Sequence, residues 1–196
     1  MDHMECEGVG KVGRGEKRRA MKDLLRKAQP KIILLQETKL DLTSERIIRN
    51  FAESLQLEVT FSPATGSAGG LMTLWKPSVF SVEEMIQEDK FIYIFGKMKN
   101  NGSSCGIGNV YGPNLAEERE NFFTWLGATI NNIMGCCILG GDFNVTLNLQ
   151  DRSGGNGGAE LPFSEFMENQ NLIDLPFHNS EYAWYSSRNG EIVEQD

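Results

Sequence analysis

Side chains that carry oxygen atoms follow two strongly apolar segments of the chain, at the point where each segment ends. Glu37 comes soon after the run 32–35. Asp142 and Asn144 follow the run 136–139 and two glycines. Because burying a bare carboxylate costs several kcal/mol, each carboxylate must be exposed, paired or bound to a metal. A surface glutamate at a strand exit and an Asx turn at Asp142 are the plain alternatives, and these residues alone leave both open.

A third polar cluster ends another apolar segment at Tyr111 and Asn114. These residues flank Gly112-Pro113, a strong turn signal, so an exposed tyrosine at a hairpin corner is the alternative to a functional role. Three polar clusters at the exits of three strands together suggest one cleft at the edge of a sheet. Carboxylate and amide oxygens suit Mg²⁺ or Mn²⁺, and Mg²⁺ commonly completes its shell with water and substrate phosphate. The pattern therefore indicates phosphoester chemistry.

Helix and strand patterns alternate along the chain and would position these clusters. The spacing of apolar residues predicts helices near residues 20–28, 43–55, 122–133 and 163–167. Apolar or alternating runs predict strands at 32–35, 57–61, 71–75, 79–83, 91–97, 106–111, 136–139 and 172–175, with a last one near 182–184. The absence of an internal repeat or a linker predicts one mixed α/β domain.

The overall composition is that of a globular protein. The 196 residues are 40% hydrophobic and 23% charged, enough to form a core. No apolar run is long enough to cross a bilayer, and the first residues lack the pattern of a secretory signal. We therefore expect an intracellular protein, nuclear or cytoplasmic, without a membrane partner. The four cysteines include no CxxC pair, which argues against zinc, and Cys136-Cys137 is predicted to lie in the core.

The net charge of −8 hides a strongly basic segment. Residues 11–31 contain nine basic and two acidic side chains, a net charge of +7 that leaves −15 for the rest of the chain. The helical spacing in this segment favours the solvated outer face of a helix. A contact with nucleic acid or a nuclear-import patch is the alternative, and charge alone does not separate these two.

The order of the motifs resembles the endonuclease/exonuclease/phosphatase superfamily, whose fold is that of deoxyribonuclease I. QET after a hydrophobic strand, YGPN and GGDFN occur in this order. Longer stretches, among them GRGEKRRAMKDLLRKAQPKIILLQETKL and LGGDFNVTLNLQDRSGG, resemble endonuclease domains of plant LINE-type (non-LTR) retrotransposons. The resemblance runs from about Gly13 to Arg188. It predicts a partial domain over residues 13–196, preceded by a non-matching segment at 1–12.

The resemblance implies a four-layer α/β sandwich of two mixed β-sheets flanked by helices, and phosphodiester hydrolysis by metal-activated water. By motif position, Glu37 would hold the divalent ion, Mg²⁺ or Mn²⁺, and Asp142 would orient and deprotonate the water. Asn144 would help to fix Asp142 or the phosphate. Tyr111 would hydrogen-bond the phosphate, and Asn114 would contact the nucleic-acid backbone. The implied partner is nucleic acid, with DNA favoured over RNA.

Two parts of the family pattern are missing from this sequence. The residues before Gly13 contain no WNVRGLG-like strand with its asparagine, and no RLDR-like strand or Ser-Asp-His run follows Trp184. We therefore expect the fold to lack its first and last strands and hydrolysis to be weak or absent. One alternative is a catalytically dead pseudo-nuclease or retroelement remnant that at most binds metal or nucleic acid. A third is a phosphatase acting on phosphorylated lipids or small molecules.

Overall fold

The computed structural model describes residues 14–65, 69–131, 136–145, 161–175, 184–188 and 191–195. Within them, the helices are α1 (Arg14–Ala28), α2 (Glu45–Glu53), α3 (Ala116–Asn131) and α4 (Leu161–Asn169). The strands are β1 (Ile32–Leu35), β2 (Glu58–Ser62), β3 (Leu71–Trp75), β4 (Phe80–Glu88), β5 (Phe91–Met98), β6 (Ser104–Tyr111), β7 (Cys136–Asp142), β8 (Trp184–Arg188) and β9 (Glu191–Gln195). A 3-10 turn at Leu42–Ser44 precedes α2.

The chain divides into two compact units, each assembled from more than one segment. The first unit comprises residues 3–110 and 135–141, and the second comprises 111–134 and 142–196. The first contains α1, α2 and strands β1 to β7, apart from the last residue of β6 and of β7. The second contains α3, α4 and the antiparallel pair β8–β9.

A three-stranded sheet carries the helical layer of the first unit. Its strand order is β1-β3-β2, and both pairs are antiparallel. Ile33 and Leu35 of β1 share a core with Leu25 of α1 and Ile48 of α2. The intervening residues of β1 pack toward the other sheet. This strand is therefore covered on both faces, as its continuous apolar run predicts, because the side chains of a strand point alternately to opposite faces.

The other sheet of the first unit has the order β4-β5-β6-β7. An apolar cluster that includes Trp75, Phe80, Ile94 and Ile107 lies between the two sheets. Polar side chains are buried there as well: Thr60, Ser62, Thr73 and Asn109. The alternation of apolar and polar residues in β2 predicts a half-buried strand, but Thr60 and Ser62 are buried as well, because their side of β2 packs against the second sheet.

An aromatic cluster joins the helices of the second unit. The ring centroid of Phe163 on α4 lies 5.2 Å from that of Phe123 on α3 and 5.3 Å from that of Phe143. Phe166 adds a second contact with Phe123, at 5.4 Å. Rings at these separations gain roughly 0.5–1.5 kcal/mol per pair beyond the burial of their area. Phe143, which lies between Asp142 and Asn144 in the chain, therefore belongs to this aromatic cluster.

The strand predicted at residues 172–175 is wrong. This segment has no regular structure, and Ile173 is 83% exposed. Helix α4 ends instead with Asn171 at φ 50°, while the amide of Leu172 donates to the carbonyl of Met167 at 2.9 Å. This is a Schellman-type helix end, in which a left-handed residue closes the last turn. A strand does begin at Trp184, but β9 after it was not predicted.

Candidate functional site

Glu37 lies two residues beyond the end of β1, in a left-handed backbone conformation with φ 51°. Lys39 has the same conformation, at φ 53°. Such angles are unfavourable for residues other than glycine and persist where the surroundings hold them. Here the amides of Thr38 and Lys39 donate to the carbonyls of Gly70 (3.1 Å) and Gly69 (3.0 Å). The structure therefore fixes the turn that carries the carboxylate.

The Glu37 carboxylate lies beside a positive charge. Its Oε2 is 3.2 Å from Nζ of Lys39, and the Glu37 side chain is 28% exposed. The carboxylate is thus both paired and reachable from solvent, two of the three conditions that the sequence allows. The Lys39 ammonium neutralises this carboxylate and would compete with a divalent ion for it.

Asn109 ties the end of β1 to both sheets, a role that sequence reasoning missed. Its side chain is 0% exposed. Its Nδ2 donates to the carbonyls of Leu35 (3.3 Å) and Met72 (3.1 Å) and to Oγ1 of Thr73 (3.2 Å). Its Oδ1 accepts a hydrogen bond from Nε2 of Gln36. The residue next to Glu37 is therefore anchored inside the sandwich. An asparagine inside an otherwise apolar strand was the available signal.

In the second unit, Asp142 and Asn144 form an Asx turn. The amide of Asn144 donates to Oδ1 of Asp142 at 2.9 Å, and Asn144 has φ 54°. The side-chain Nδ2 of Asn144 donates to the carbonyl of Gly112 at 2.8 Å, and the Gly112 amide donates to the carbonyl of Asp142 at 2.7 Å. The turn alternative for Asp142 is therefore present, and the same hydrogen bonds hold the carboxylate against the segment that follows Tyr111.

Tyr111 is buried rather than exposed at a hairpin corner. Its exposure is 8%, and the chain continues into α3 instead of returning along the sheet. Arg119 of α3 donates from Nε to the carbonyl of Pro113 (3.2 Å) and from Nη2 to that of Asn114 (3.1 Å). Asn114 itself is exposed. Arg119, which the sequence did not single out, therefore holds the turn that presents Asn114.

Two glycines allow backbone segments to approach closely around these turns. A Cβ on Gly141, which has φ 142°, would collide with the carbonyl of Val110. A Cβ on Gly112 would collide with the carbonyl of Phe143. The backbone at Val110 therefore approaches Gly141 more closely than a side chain at that position would allow.

Cys105 and Cys137 are poor candidates for chemistry. Burial raises the pKa of Cys105 to about 11 and that of Cys137 to about 12, and neighbouring cysteines add to both shifts. Both thiols are therefore protonated at neutral pH and are weak nucleophiles and weak metal ligands. Cys136 is exposed, so its predicted place in the core is wrong.

The donor set suits a magnesium ion held by a single protein carboxylate. Among the described residues, no group of three or more His, Cys, Asp or Glu side chains could hold a metal ion. Mg²⁺ is often bound through one or two carboxylates and completes its shell with water and phosphate. The Glu37 carboxylate fits that arrangement once the exposed Lys39 ammonium moves aside, whereas the described residues do not form a closed cage.

Comparison with known proteins places these observations in a family. The profile of the Endonuclease/Exonuclease/phosphatase family matches residues 8–191. The chain belongs to this family. A transposon protein of Xenopus laevis, the "Transposon TX1 uncharacterized 149 kDa protein", is 29% identical over 125 residues, 60% of this chain and 9% of the relative. The chain thus spans a small part of that relative. The match to a transposon protein agrees with the link to transposons that the motifs predict.

Solved structures of the family share the fold. An AP endonuclease from Leishmania major is 18% identical, with a TM-score of 0.61 over 80% of this chain and 62% of its own. An AP endonuclease from Archaeoglobus fulgidus is 15% identical, with a TM-score of 0.63 over 79% of this chain and 66% of its own. The human Nocturnin catalytic domain gives 14% identity and a TM-score of 0.54 over 70% of this chain and 60% of its own.

These comparisons confirm the superfamily and the deoxyribonuclease I-like α/β sandwich, with two sheets and flanking helices. The activities in the family's name all hydrolyse phosphate esters. The described part of the chain has no helix with the length and apolarity needed to span a bilayer. The roles of individual site residues, the metal, and the relation to plant elements stay predictions.

Proposed function

We propose that this chain hydrolyses phosphodiester bonds of nucleic acid, with DNA favoured over RNA, and that it depends on Mg²⁺ or Mn²⁺. One observation carries the proposal. The Asp142–Asn144 turn is hydrogen-bonded to the backbone of Gly112, so the Asp142 carboxylate and the Asn144 amide are fixed against the segment that follows Tyr111. Family membership and the transposon relative support the same chemistry.

The proposed roles follow from the chemistry of each side chain. Glu37 would hold the divalent ion, which when bound would stabilise negative charge on the phosphate and the leaving oxygen. Asp142 would accept a proton from the attacking water, and its Asx turn keeps the carboxylate oriented for this task. Asn144 positions Asp142. Tyr111 would donate to the phosphate, and Asn114 would contact the nucleic-acid backbone.

A second candidate is a non-catalytic module of the same fold that binds metal or nucleic acid. Two observations favour it. Lys39 already occupies a position 3.2 Å from Glu37, and the sequence contains no Ser-Asp-His run to supply a histidine for the transition state. Loss of such an acid–base partner typically costs about 10²–10⁴ in rate. We therefore expect any hydrolysis by this chain to be slow.

The test is nicking of supercoiled plasmid with Mg²⁺ and, separately, with Mn²⁺. We expect slow nicking by the native chain and a loss of at least about 100-fold in Glu37→Ala and in Asp142→Ala. The double variant should be no slower than the worse single variant, because residues that act as a unit are not additive. Glu53→Ala, which removes an exposed carboxylate of α2, is the matched control and should nick normally. Nicking that persists in the double variant would reveal a contaminant and reject the enzyme proposal.

Thermal unfolding separates the two candidates. Millimolar Mg²⁺ should raise the melting temperature of the native chain but not that of Glu37→Ala, because a ligand stabilises only the state that binds it. A Mg²⁺-dependent shift without nicking would support the binding module over the enzyme. Neither a shift nor nicking, with either metal, would reject a functional metal site at Glu37.

A further inference from the structure

The basic segment of the sequence forms one wall of a groove on the helical layer of the first unit. Helix α1 buries Leu25 against the sheet, and its side chains Arg18, Arg19, Arg26 and Lys27 are exposed. The prediction of a solvated outer helix face is therefore confirmed. The structure adds that this face is not a plain convex surface, because α1 and α2 line an open groove.

The α1–α2 groove is lined by Arg18, Lys22, Ile47, Asn50 and Phe51 and has a volume of about 250 Å³. Among the side chains that the structure describes, its polar lining consists of two cations and one amide, without a carboxylate. Arg18 and Lys22 are four residues apart, so they lie on the same side of α1, about 6 Å apart along its axis. The lining thus offers hydrogen-bond donors and positive charge to an anionic partner.

The groove is shaped by packing as well as charge. Nζ of Lys22 lies 5.5 Å from the ring centroid of Phe51, a cation–π contact that limits where the ammonium can go. Ile47 is 47% exposed and supplies an apolar wall. A phosphate attached to a sugar matches this combination, since the phosphate would contact the two cations and the apolar face of the sugar would contact Ile47.

The positive surface continues beyond the groove along α1. Within the described part of α1, Arg26 forms an ion pair with Asp23 at 3.7 Å, and both side chains are mostly exposed. Such an exposed pair contributes little and is easily exchanged for another anion. Lys31 is exposed after the end of α1, and Nζ of Lys76 donates to the carbonyl of Gln29 at 3.3 Å. Because the whole chain has a net charge of −8, any attraction of these cations for an anion is local to this surface.

We propose that the α1–α2 groove binds the phosphate backbone of nucleic acid, as a contact additional to the proposed hydrolytic residues. The choice of nucleic acid over an acidic peptide rests on the proposed function. Binding through phosphates reads no sequence, so this surface would hold duplex DNA of any sequence and increase its residence on the protein. None of the groove residues is among those assigned to hydrolysis.

The test is fluorescence anisotropy with a 20-base-pair duplex of arbitrary sequence, in EDTA so that no cleavage occurs, over a series of salt concentrations. Arg18→Gln/Lys22→Gln should reduce the slope of log K against log salt by about 1.8 and weaken binding at least about tenfold at 0.1 M salt. The matched control is Lys97→Gln/Lys99→Gln, which removes two exposed lysines of the first unit. This control should change the slope by less than half as much.

An unchanged slope in Arg18→Gln/Lys22→Gln would overturn the proposal. An equal effect of the control variant would also overturn it, because binding would then depend on the net charge of the protein and not on this groove. A poly-glutamate peptide that binds the native groove more tightly than the duplex would assign the surface to a protein partner instead. Because the assay contains no metal, it is independent of hydrolysis. Absence of plasmid nicking with an intact slope effect would reject the proposed function and leave the groove standing. Nicking with an unchanged slope would reject the groove alone.

Discussion

Replacing Asn109 tests whether the buried amide network holds the turn that carries Glu37. Asn109→Leu keeps a side chain of similar size but removes the donors to Leu35 and Met72 and the acceptor for Gln36. A lost internal hydrogen bond costs about 1 kcal/mol, and a buried polar group left without a partner costs about 1–3 kcal/mol. We therefore expect a destabilisation of about 3–5 kcal/mol, a large fraction of the 5–15 kcal/mol typical of a domain.

The assay is urea unfolding followed by circular dichroism and tryptophan fluorescence. The expected loss corresponds to a decrease in melting temperature of about 10 °C for a chain of this size. Asn100→Leu, on an exposed turn, is the control and should stay within about 0.5 kcal/mol of the native protein. A cost below about 1 kcal/mol for Asn109→Leu, with an unchanged urea slope, would refute the proposed anchoring.

A double-mutant cycle isolates the contact with Gln36. Gln36→Leu alone leaves the Oδ1 of Asn109 without its donor, so the double variant should recover part of the loss. We expect a coupling energy of at least about 1 kcal/mol, since the two side chains share a partly buried hydrogen bond. Strictly additive effects would show that the two amides act independently. If Asn109→Leu still unfolds cooperatively but Mg²⁺ no longer raises its melting temperature, the network is connected to Glu37.

Two further predictions concern the turns and the thiols. Gly112→Ala should destabilise the protein by about 1–3 kcal/mol, because the added Cβ would collide with the Phe143 carbonyl. The control is Gly15→Ala, which lies in open space on α1 and should be neutral or stabilising. Equal melting temperatures for the two variants would contradict this prediction. Iodoacetamide at pH 8, followed by peptide mapping, should label exposed Cys136 far faster than Cys105 or Cys137. Because the pKa values of Cys105 and Cys137 are about 11 and 12, their labelling rates should rise about tenfold per pH unit near pH 8. If all three cysteines were labelled at comparable rates in the native protein, the raised pKa values would be contradicted.

Local patterns in the sequence identified most elements, because apolar spacing reports directly which face of a helix or strand is buried. The run Ile32–Leu35 predicted a strand covered on both sides, and the structure places helices on one side and the second sheet on the other. The same reasoning failed at residues 172–175, where a Schellman-type ending of α4 overrides an apolar run. It also failed at β2, since no local pattern shows that Thr60 faces another sheet.

The sequence by itself determined the family and the residue types at the site, because QET, YGPN and GGDFN are contiguous motifs whose order needs no coordinates. Only the tertiary structure decided which groups support them. Gln36 and Asn109 are 73 positions apart, and Asn144 reaches a carbonyl 32 positions away, so neither contact has a local signature. The α1–α2 groove likewise depends on tertiary packing, because Asn50 and Phe51 of α2 lie beside the cations of α1. Contacts between distant segments depend on how the chain packs, and short-range sequence patterns do not specify this packing.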